Sequence, residues 1–514
     1  MGINTAPQMN PNKPQDALKA EWHPAWYFLI FLTITLAPRL ALILGGVSYA
    51  DDWEHTHVPH LDSYRPLAAF ELFFIQSAFN ADYLMSIWPK LLAGLYYAGS
   101  ATMLMLVLAE LGVNKRLFTL LFIAAFSHPA FNELILWGVL SSSATATFIA
   151  TAGIYLVYMS YSLGIRGLGL IFMSMGSLSN QMLSILGISM WLLEACCPNP
   201  KINFLRPARV ELIIRVLMVG LPPLFGLTAI LVMSSFYEFS DFANRTVSLE
   251  TAAGTTWIND KFYVFSNAYA NLYQAPLSFL AGTEAALGAF RYMIALPVLL
   301  LILLLLAGES KSRSLLLSCL VPVLFLCAFA PLLATSATPT GFRIMGTAIV
   351  LVCAGAIVSL QPLWRRTWGA SIITVASIAL IGLHLLTTAK DMGVRAQAWQ
   401  QDLALLSQAE SSLLTTTTSA VTFCFWRATE PVPASDLSVG ILVSYNRANT
   451  SSYSIWASQF LPYFLSKRIP GLGVQTIDEP SERCEAACAQ TATMSFGPYK
   501  LVKESLNSET FVCQ

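Results

Sequence analysis

The sequence predicts an all-α membrane protein with about eleven transmembrane helices, and three observations carry that reading. Of its 514 residues 55% are hydrophobic and only 11% charged, whereas a soluble protein carries roughly 25% charged residues. Many apolar runs approach or exceed the ~18 residues that cross a bilayer as a helix. Lys and Arg also alternate in abundance between successive connections, as the positive-inside rule requires. Long continuous runs point to helices rather than barrel strands, whose apolar positions alternate over short segments. A net charge of zero gives no sign of a nucleic-acid partner.

The runs fall near 25–47, 87–110, 117–137, 143–161, 167–179, 181–197, 211–235, 286–307, 314–335, 343–361 and 367–388. The first follows a polar segment, 1–24, and precedes Ser48-Tyr49-Ala50, which resembles a weak cleavage site. It is longer than the about 7–15 apolar residues of a signal peptide, so it reads as a retained helix. The pair 167–179 and 181–197 is hinged at Ser177-Leu178-Ser179-Asn180-Gln181. Arg166 before it and Lys201, Arg206 and Arg209 after it put both flanks on one side, which requires two crossings.

Lys13, Lys19, Lys115, Arg116, Arg166, Lys201, Lys311, Arg313, Arg365 and Arg366 mark the cytoplasmic side. Loops 48–86 and 236–285 hold only Arg65, Arg245 and Lys261 and read as facing outward. The expectation is a cytoplasmic N-terminal segment, a transmembrane region over 25–389 and a small periplasmic mixed domain over 390–514. That places the chain among membrane lipids as a multi-pass protein with its N-terminus inside and its C-terminal domain outside. Residues Ala420–Trp426 and Val439–Tyr445 are β-prone. Cys424, Cys484, Cys488 and Cys513 suggest two disulfides, and their connectivity stays open among three pairings.

The candidate chemistry gathers at the outward ends. Asp51 and Asp52 directly follow the first helix; adjacent carboxylates repel, so they either bind a cation or leave one poised as a base, or else belong to an ordinary hydrated acidic loop. Nearby His55, His57 and His60 match no fixed zinc spacing. Residues Ala68–Tyr83 have helical apolar spacing interrupted by Glu71 and Gln76, and read as an amphipathic helix in the interface. Ser127-His128-Pro129-Ala130-Phe131-Asn132-Glu133 puts a proline and a carboxylate near a helix end, where both are costly unless buried in protein or facing water. Glu133 is therefore a catalytic candidate. Arg65, Lys90, Arg291 and Arg343 are cations for a phosphate, or snorkelling anchors. Asn180 and Gln181 at the hinge either contact a sugar or cap the short helices. Arg39 lies within the first run and must pair or reach water.

Asp51-Asp52 after the first helix, Arg65-Pro66-Leu67 opening the amphipathic segment and His128–Glu133 together resemble the GT-C membrane glycosyltransferases. More narrowly, the chain resembles the bacterial glucosyltransferases (type II family) that decorate O-antigen from a polyprenyl-phosphate sugar. The hinge at Asn180-Gln181 and the outward Arg343 fit the same pattern. Two departures, Tyr64 where the family usually has glycine and Trp137 with a Ser-rich stretch where it often has an acid, bear on the sugar more than the class. The resemblance implies an inverting hexosyltransferase in the bacterial inner membrane, its C-terminal domain periplasmic, with a polyprenyl-phosphate-sugar donor and a surface polysaccharide acceptor, as in lipopolysaccharide. Asp51 or Asp52 would be the base and Glu133 a second carboxylate. Arg65, Lys90, Arg291, Arg343, Asn180 and Gln181 would bind substrate. Members of the class differ in using a divalent cation such as Mg or Mn, so that point stays open. An O-antigen polymerase or ligase would place its key arginines in the later loop, which here holds only Arg245 and Lys261. A lipid-linked sugar transporter would carry ionisable groups at mid-membrane depth.

Overall fold

The computed structural model of the chain describes residues 23–46, 70, 71, 73, 74, 77, 86–136, 141–201, 209–236, 295–329, 342–415, 420–424, 457–477, 481–496, 499–503 and 510–513. The chain is a multi-pass membrane protein. Seven of its described helices are long and apolar enough to cross a bilayer, and a pair bent at its joint, Lys115–Phe126 with Ala130–Leu136, meets the same criterion when taken together. Three shorter apolar helices, Leu163–Ser179, Leu183–Cys196 and Ala295–Leu306, accompany them.

The first run is α1 (Pro24–Leu36), a 3₁₀ turn (Ala37–Arg39) and α2 (Leu40–Leu44). The break sits at Pro38, which lacks the N–H that would bind the carbonyl of Ile34. Arg39 supplies the missing donor from its side chain, with Nη1 at 3.4 Å from Ile34 O and 2.6 Å from Thr35 O. Next come α3 (Ile87–Glu110) and α4 (Lys115–Phe126), the latter capped by Asn114, whose Oδ1 accepts from the N–H groups of Arg116 and Leu117. The expected run 117–137 is not straight. Ser127-His128-Pro129 turns the chain by 73° into α5 (Ala130–Leu136), because proline cannot continue the hydrogen-bond ladder.

Then follow α6 (Ser141–Met159), α7 (Leu163–Ser179), a 3₁₀ turn (Gln181–Ile185) and α8 (Leu186–Cys196). The hinge expected at Asn180 is present: Asn180 N–H donates to Gly176 O and Asn180 O accepts from Leu183 N–H. Helices α6 and α7 touch backbone to backbone at Gly153 and Gly169, where a Cβ on Gly153 would lie 2.5 Å from Gly169 O. Close approach of this kind replaces the hydrophobic effect as the association force inside lipid. The remaining helices are α9 (Arg209–Phe236), α10 (Ala295–Leu306), α11 (Lys311–Phe329), α12 (Phe342–Trp364) and α13 (Thr367–Leu414).

One end of the bundle is tied by ions. Arg166 grips Glu211 with two 2.7 Å hydrogen bonds. Arg215 donates to both oxygens of Glu194, at 2.7 and 3.1 Å, and both side chains are fully buried. Tyr158 OH donates to Glu194 at 2.9 Å, and the Arg215 guanidinium lies 4.4 Å from the Tyr158 ring centroid. The same end holds Lys201 beside Glu110 and Arg366 donating to Ala307 O. Charges buried this way need each other: losing one partner leaves the other uncompensated.

Helix α13 has 48 residues, so it is about 72 Å long at 1.5 Å per residue. The hydrocarbon core needs only about 30 Å of that. The expected domain boundary at 389–390 therefore falls inside an unbroken helix. Its C-terminal turns, through Leu405, Leu406, Ala409 and Leu413, share a core with Val421, Phe423, Leu465, Leu501 and Val512 of the C-terminal domain. That domain contains β1 (Ala420–Cys424), α14 (Ala457–Arg468), β2 (Gly473–Ile477), α15 (Glu482–Cys488), β3 (Met494–Phe496), β4 (Tyr499–Lys503) and β5 (Thr510–Cys513). The sheet runs β2-β1-β5-β4-β3, with β1 parallel to β2 and β5 and the β5-β4-β3 pairs antiparallel. The β-prone stretch at 420 is β1, whereas 439–445 lies outside the described residues.

Of the three pairings that the sequence left open, the fold selects Cys424–Cys484 and Cys488–Cys513. Cys424 and Cys513 are register partners on adjacent strands. Cys484 and Cys488 stand one turn apart on α15, so the two bonds staple that helix to the strand ends. The other five cysteines are free, and Cys196, Cys197 and Cys353 are buried.

Candidate functional site

The bundle end opposite the ion network carries the candidate residues that the described structure reaches. Its centre is the α4–α5 joint. A broken helix leaves carbonyls without donors, and in a lipid-surrounded bundle each must be satisfied by protein. Three such oxygens, of Ala124, Phe126 and Ser127, are met from two other helices, and His128 O, which accepts from Phe131 N–H, gains a second donor. Arg39 Nη2 donates to Phe126 O at 3.2 Å and His128 O at 3.4 Å. His384 Nδ1 lies 2.7 Å from Ala124 O, and Thr388 Oγ1 donates to Ser127 O at 2.8 Å, both from α13. A carbonyl only accepts, so His384 carries its proton on Nδ1 there. The His128 and His384 rings meet edge to face at 4.9 Å, and His128 Nδ1 accepts from Ala130 N–H to start α5.

Beside the joint, Asn132 bridges charges. Arg39 Nε donates to Asn132 Oδ1 at 2.8 Å, and Asn132 Nδ2 donates to Asp391 Oδ2 at 2.6 Å. Arg395 Nε donates to the same Asp391 oxygen at 2.7 Å. All four side chains are buried. Sequence reading required a partner for Arg39 but did not find Asp391. The acid–base pair Asp391 and Arg395, spaced i,i+4, was a signal, but it was assigned to a tail beyond the membrane.

The adjoining residue, Glu133, lies on α5. Arg343 lies in the first turn of α12, and the two helices pack directly. They come close at Gly346, where an added Cβ would lie 2.5 Å from Leu134 Cδ1 and push that side chain aside. The backbone positions of a carboxylate and a cation are thus on neighbouring turns. Lys90 is fully buried in the first turn of α3. That helix meets α5 through Tyr97 and Phe131, with ring centroids 5.5 Å apart.

Asn180 lines a cavity of about 40 Å³ among α3, α5, α6, α8 and α12. Ser143, Thr147 and Thr151 contribute one polar stripe at four-residue spacing on α6. Thr147 and Thr151 spend their protons on the carbonyls four residues back, at 2.7 Å each, and so offer lone pairs to the cavity. This volume suits a few water molecules and is far smaller than a hexose. Gln181 opens the 3₁₀ turn beside Asn180.

Sequence reading undervalued Glu71. Residues Phe70, Glu71, Phe73, Phe74 and Ser77 are helical, as the amphipathic spacing predicts, and the three phenylalanines are exposed. Glu71 Oε1 accepts from Thr145 Oγ1 at 2.7 Å, docking this segment on α6. Burial raises the Glu71 carboxyl above its ordinary value, and the Thr145 hydrogen bond only partly offsets this. Asp51, Asp52, Arg65 and Arg291 lie outside the described residues. Among the described residues, no group of three or more His, Cys, Asp or Glu side chains forms a metal-holding set.

Comparison with protein-family models, curated proteins and solved structures finds no match for this chain.

Proposed function

We propose that the chain is an inverting GT-C-like glycosyltransferase. It moves a hexose, glucose in the first instance, from a polyprenyl-phosphate donor to a surface polysaccharide such as O-antigen. The observation that carries this reading is the packing of α5, bearing Glu133, against the first turns of α12, bearing Arg343. Carboxylate and guanidinium are the two group types such a transfer needs, one near the attacking hydroxyl and one near the leaving phosphate. Lys90 and Asn180 share that end of the bundle.

We take the three shorter apolar helices as crossings as well, alongside the seven long spans and the bent pair among the described residues, which gives the odd number that the charge pattern requires. An odd number puts the chain ends on opposite faces. Lys and Arg abundance at the ion-network end makes that face cytoplasmic. The two disulfides fit a C-terminal domain in an oxidising periplasm, hence a bacterial inner membrane.

In the reaction, Asp51 or Asp52 takes the proton of the acceptor hydroxyl as its oxygen forms a bond to the anomeric carbon. The bond from that carbon to the phosphate oxygen breaks, and polyprenyl phosphate leaves with the electron pair. Lys90, Arg65, Arg291 and Arg343 stabilise the leaving charge. Glu133 orients the acceptor, and Asn180 and Gln181 contact sugar. A divalent cation such as Mg or Mn, if used, would be held by the Asp51-Asp52 carboxylates and would supply positive charge for the leaving phosphate.

The test uses detergent-purified protein with undecaprenyl-phosphate-glucose and a polysaccharide acceptor. Asp51→Asn, Asp52→Asn and Glu133→Gln are compared with the parent, each shown to be folded. Loss of about 100-fold or more in kcat for one of the first two supports the base assignment. Parental rates in all three would remove the carboxylates from the mechanism.

A further inference from the structure

The buried chain Arg39–Asn132–Asp391–Arg395 joins the first helix, the bent helix and the helix that carries the C-terminal domain. Asn132 presents an acceptor to Arg39 and a donor to Asp391. Its carboxamide does both from two separate atoms, Oδ1 toward Arg39 and Nδ2 toward Asp391, which neither an aliphatic side chain nor a carboxylate can do. Leucine would leave Arg39 and Asp391 each short of a partner, and aspartate would set two carboxylates at the 2.6 Å contact. Asn132 is therefore matched to the charges on either side, a cation that needs an acceptor and a carboxylate that needs a donor.

We infer that Asn132 and Asp391 are positioning residues: their relay fixes α5, and with it Glu133, against α13, so the seat of the C-terminal domain and the geometry of the site are set together. Three observations converge on this. Glu133 follows Asn132 directly in α5. The joint's carbonyls at Ala124 and Ser127 are also held by α13, through His384 and Thr388. Past Asp391, the same unbroken helix enters the core of the C-terminal domain at Leu405 and Leu406. A movement of the domain that turns or tilts α13 must break the Asn132–Asp391 bond or carry α5 with it. The statement about Glu133 rests on the proposed function; the relay itself does not.

The relay makes an unusual demand that can be tested by exchange of partners. In Asn132→Asp/Asp391→Asn, the new carboxylate at 132 accepts from Arg39 and from the new amide at 391. Total charge is unchanged. Arg395 must then turn to the other oxygen of residue 391, and Asp391 Oδ1 has no hydrogen-bond partner among the described residues. The full-length protein in detergent is examined by hydrogen–deuterium exchange over 124–136 and 384–396, and by transfer kinetics. Each single variant is expected to exchange about tenfold faster or more in both segments. Its kcat should fall about tenfold or more with KM for the donor held. The double variant should return to within about twofold of the parent in both readouts. Single variants too unstable to purify, with a double variant that purifies, give the same support. Parental exchange in the singles, or a double variant no better than they are, overturns the relay. If the parent exchanges as expected but transfers no sugar, the proposed reaction fails and the role for Glu133 falls with it. Exchange alone then judges the relay.

Discussion

At the residue scale, buried polar side chains of this protein are explained by what they complete. Arg39 replaces the donor that Pro38 removed and also satisfies carbonyls exposed by a second proline, Pro129. The sequence showed that a cation inside an apolar run must find partners. It could not show that the nearest anion is reached through Asn132, because Asp391 is 259 residues further on. Glu71 is the residue-scale feature with a pH consequence. Its carboxyl lies outside the membrane-spanning helices and is raised by burial. The docked state therefore binds more protons than the undocked state just above the ordinary carboxylate range. Docking on Thr145 is strongest at low pH and weakens as pH rises through the raised value. Limited proteolysis within 70–77 is expected to be slower at pH 5 than at pH 8. Glu71→Gln, whose amide oxygen still accepts from Thr145, should be slow at both. Equal cleavage of the parent at the two pH values would contradict this.

At the element scale, helix positions were legible and helix joints were not. Hydropathy marks which segments avoid water, so the expected runs and the observed helices largely coincide. It is silent on breaks within a run, which depend on whether freed carbonyls find donors elsewhere. The 73° turn at Ser127-His128-Pro129 exists because Arg39, His384 and Thr388 are there to satisfy it. The end of α13 was missed for a related reason. Lys390, Asp391 and Arg395 look like the start of a soluble tail, yet Asp391 and Arg395 are buried against other helices. At the opposite end, Glu194 and Arg215 lock α8 to α9. Arg215→Met or Glu194→Gln leaves a buried charge or its partner uncompensated, at a cost of about 3–5 kcal/mol. A clear drop in the thermal midpoint of the detergent-solubilised protein is expected for each. Glu194→Leu/Arg215→Met should recover much of the loss, since apolar replacement of a buried pair is often neutral. Unchanged midpoints in the single variants would show that the pair carries no such load.

At the scale of the whole molecule, one helix unites two environments. Helix α13 is a membrane span along its first part and a core helix of a disulfide-stapled domain along its last. The mixed character of the C-terminal region was legible from its cysteines and β-prone segments. Its sheet order and pairing were not, because both depend on contacts between strands far apart in sequence, such as β1 with β5. Of the candidate site, the sequence named Lys90, Glu133, Asn180, Gln181 and Arg343, whose backbone positions lie on the helix ends away from the ion network; their part in sugar transfer belongs to the proposal. The central claim, transfer with inversion from a lipid phosphate, is tested most directly by the product. Undecaprenyl-phosphate-glucose labelled at the anomeric carbon would be incubated with the parent protein and a polysaccharide acceptor, and the new linkage read by NMR. The expected result is a glucoside of anomeric configuration opposite to that of the donor. A product that retains the donor's configuration, or a folded protein that transfers no sugar from any of several polyprenyl-phosphate hexoses, would contradict it.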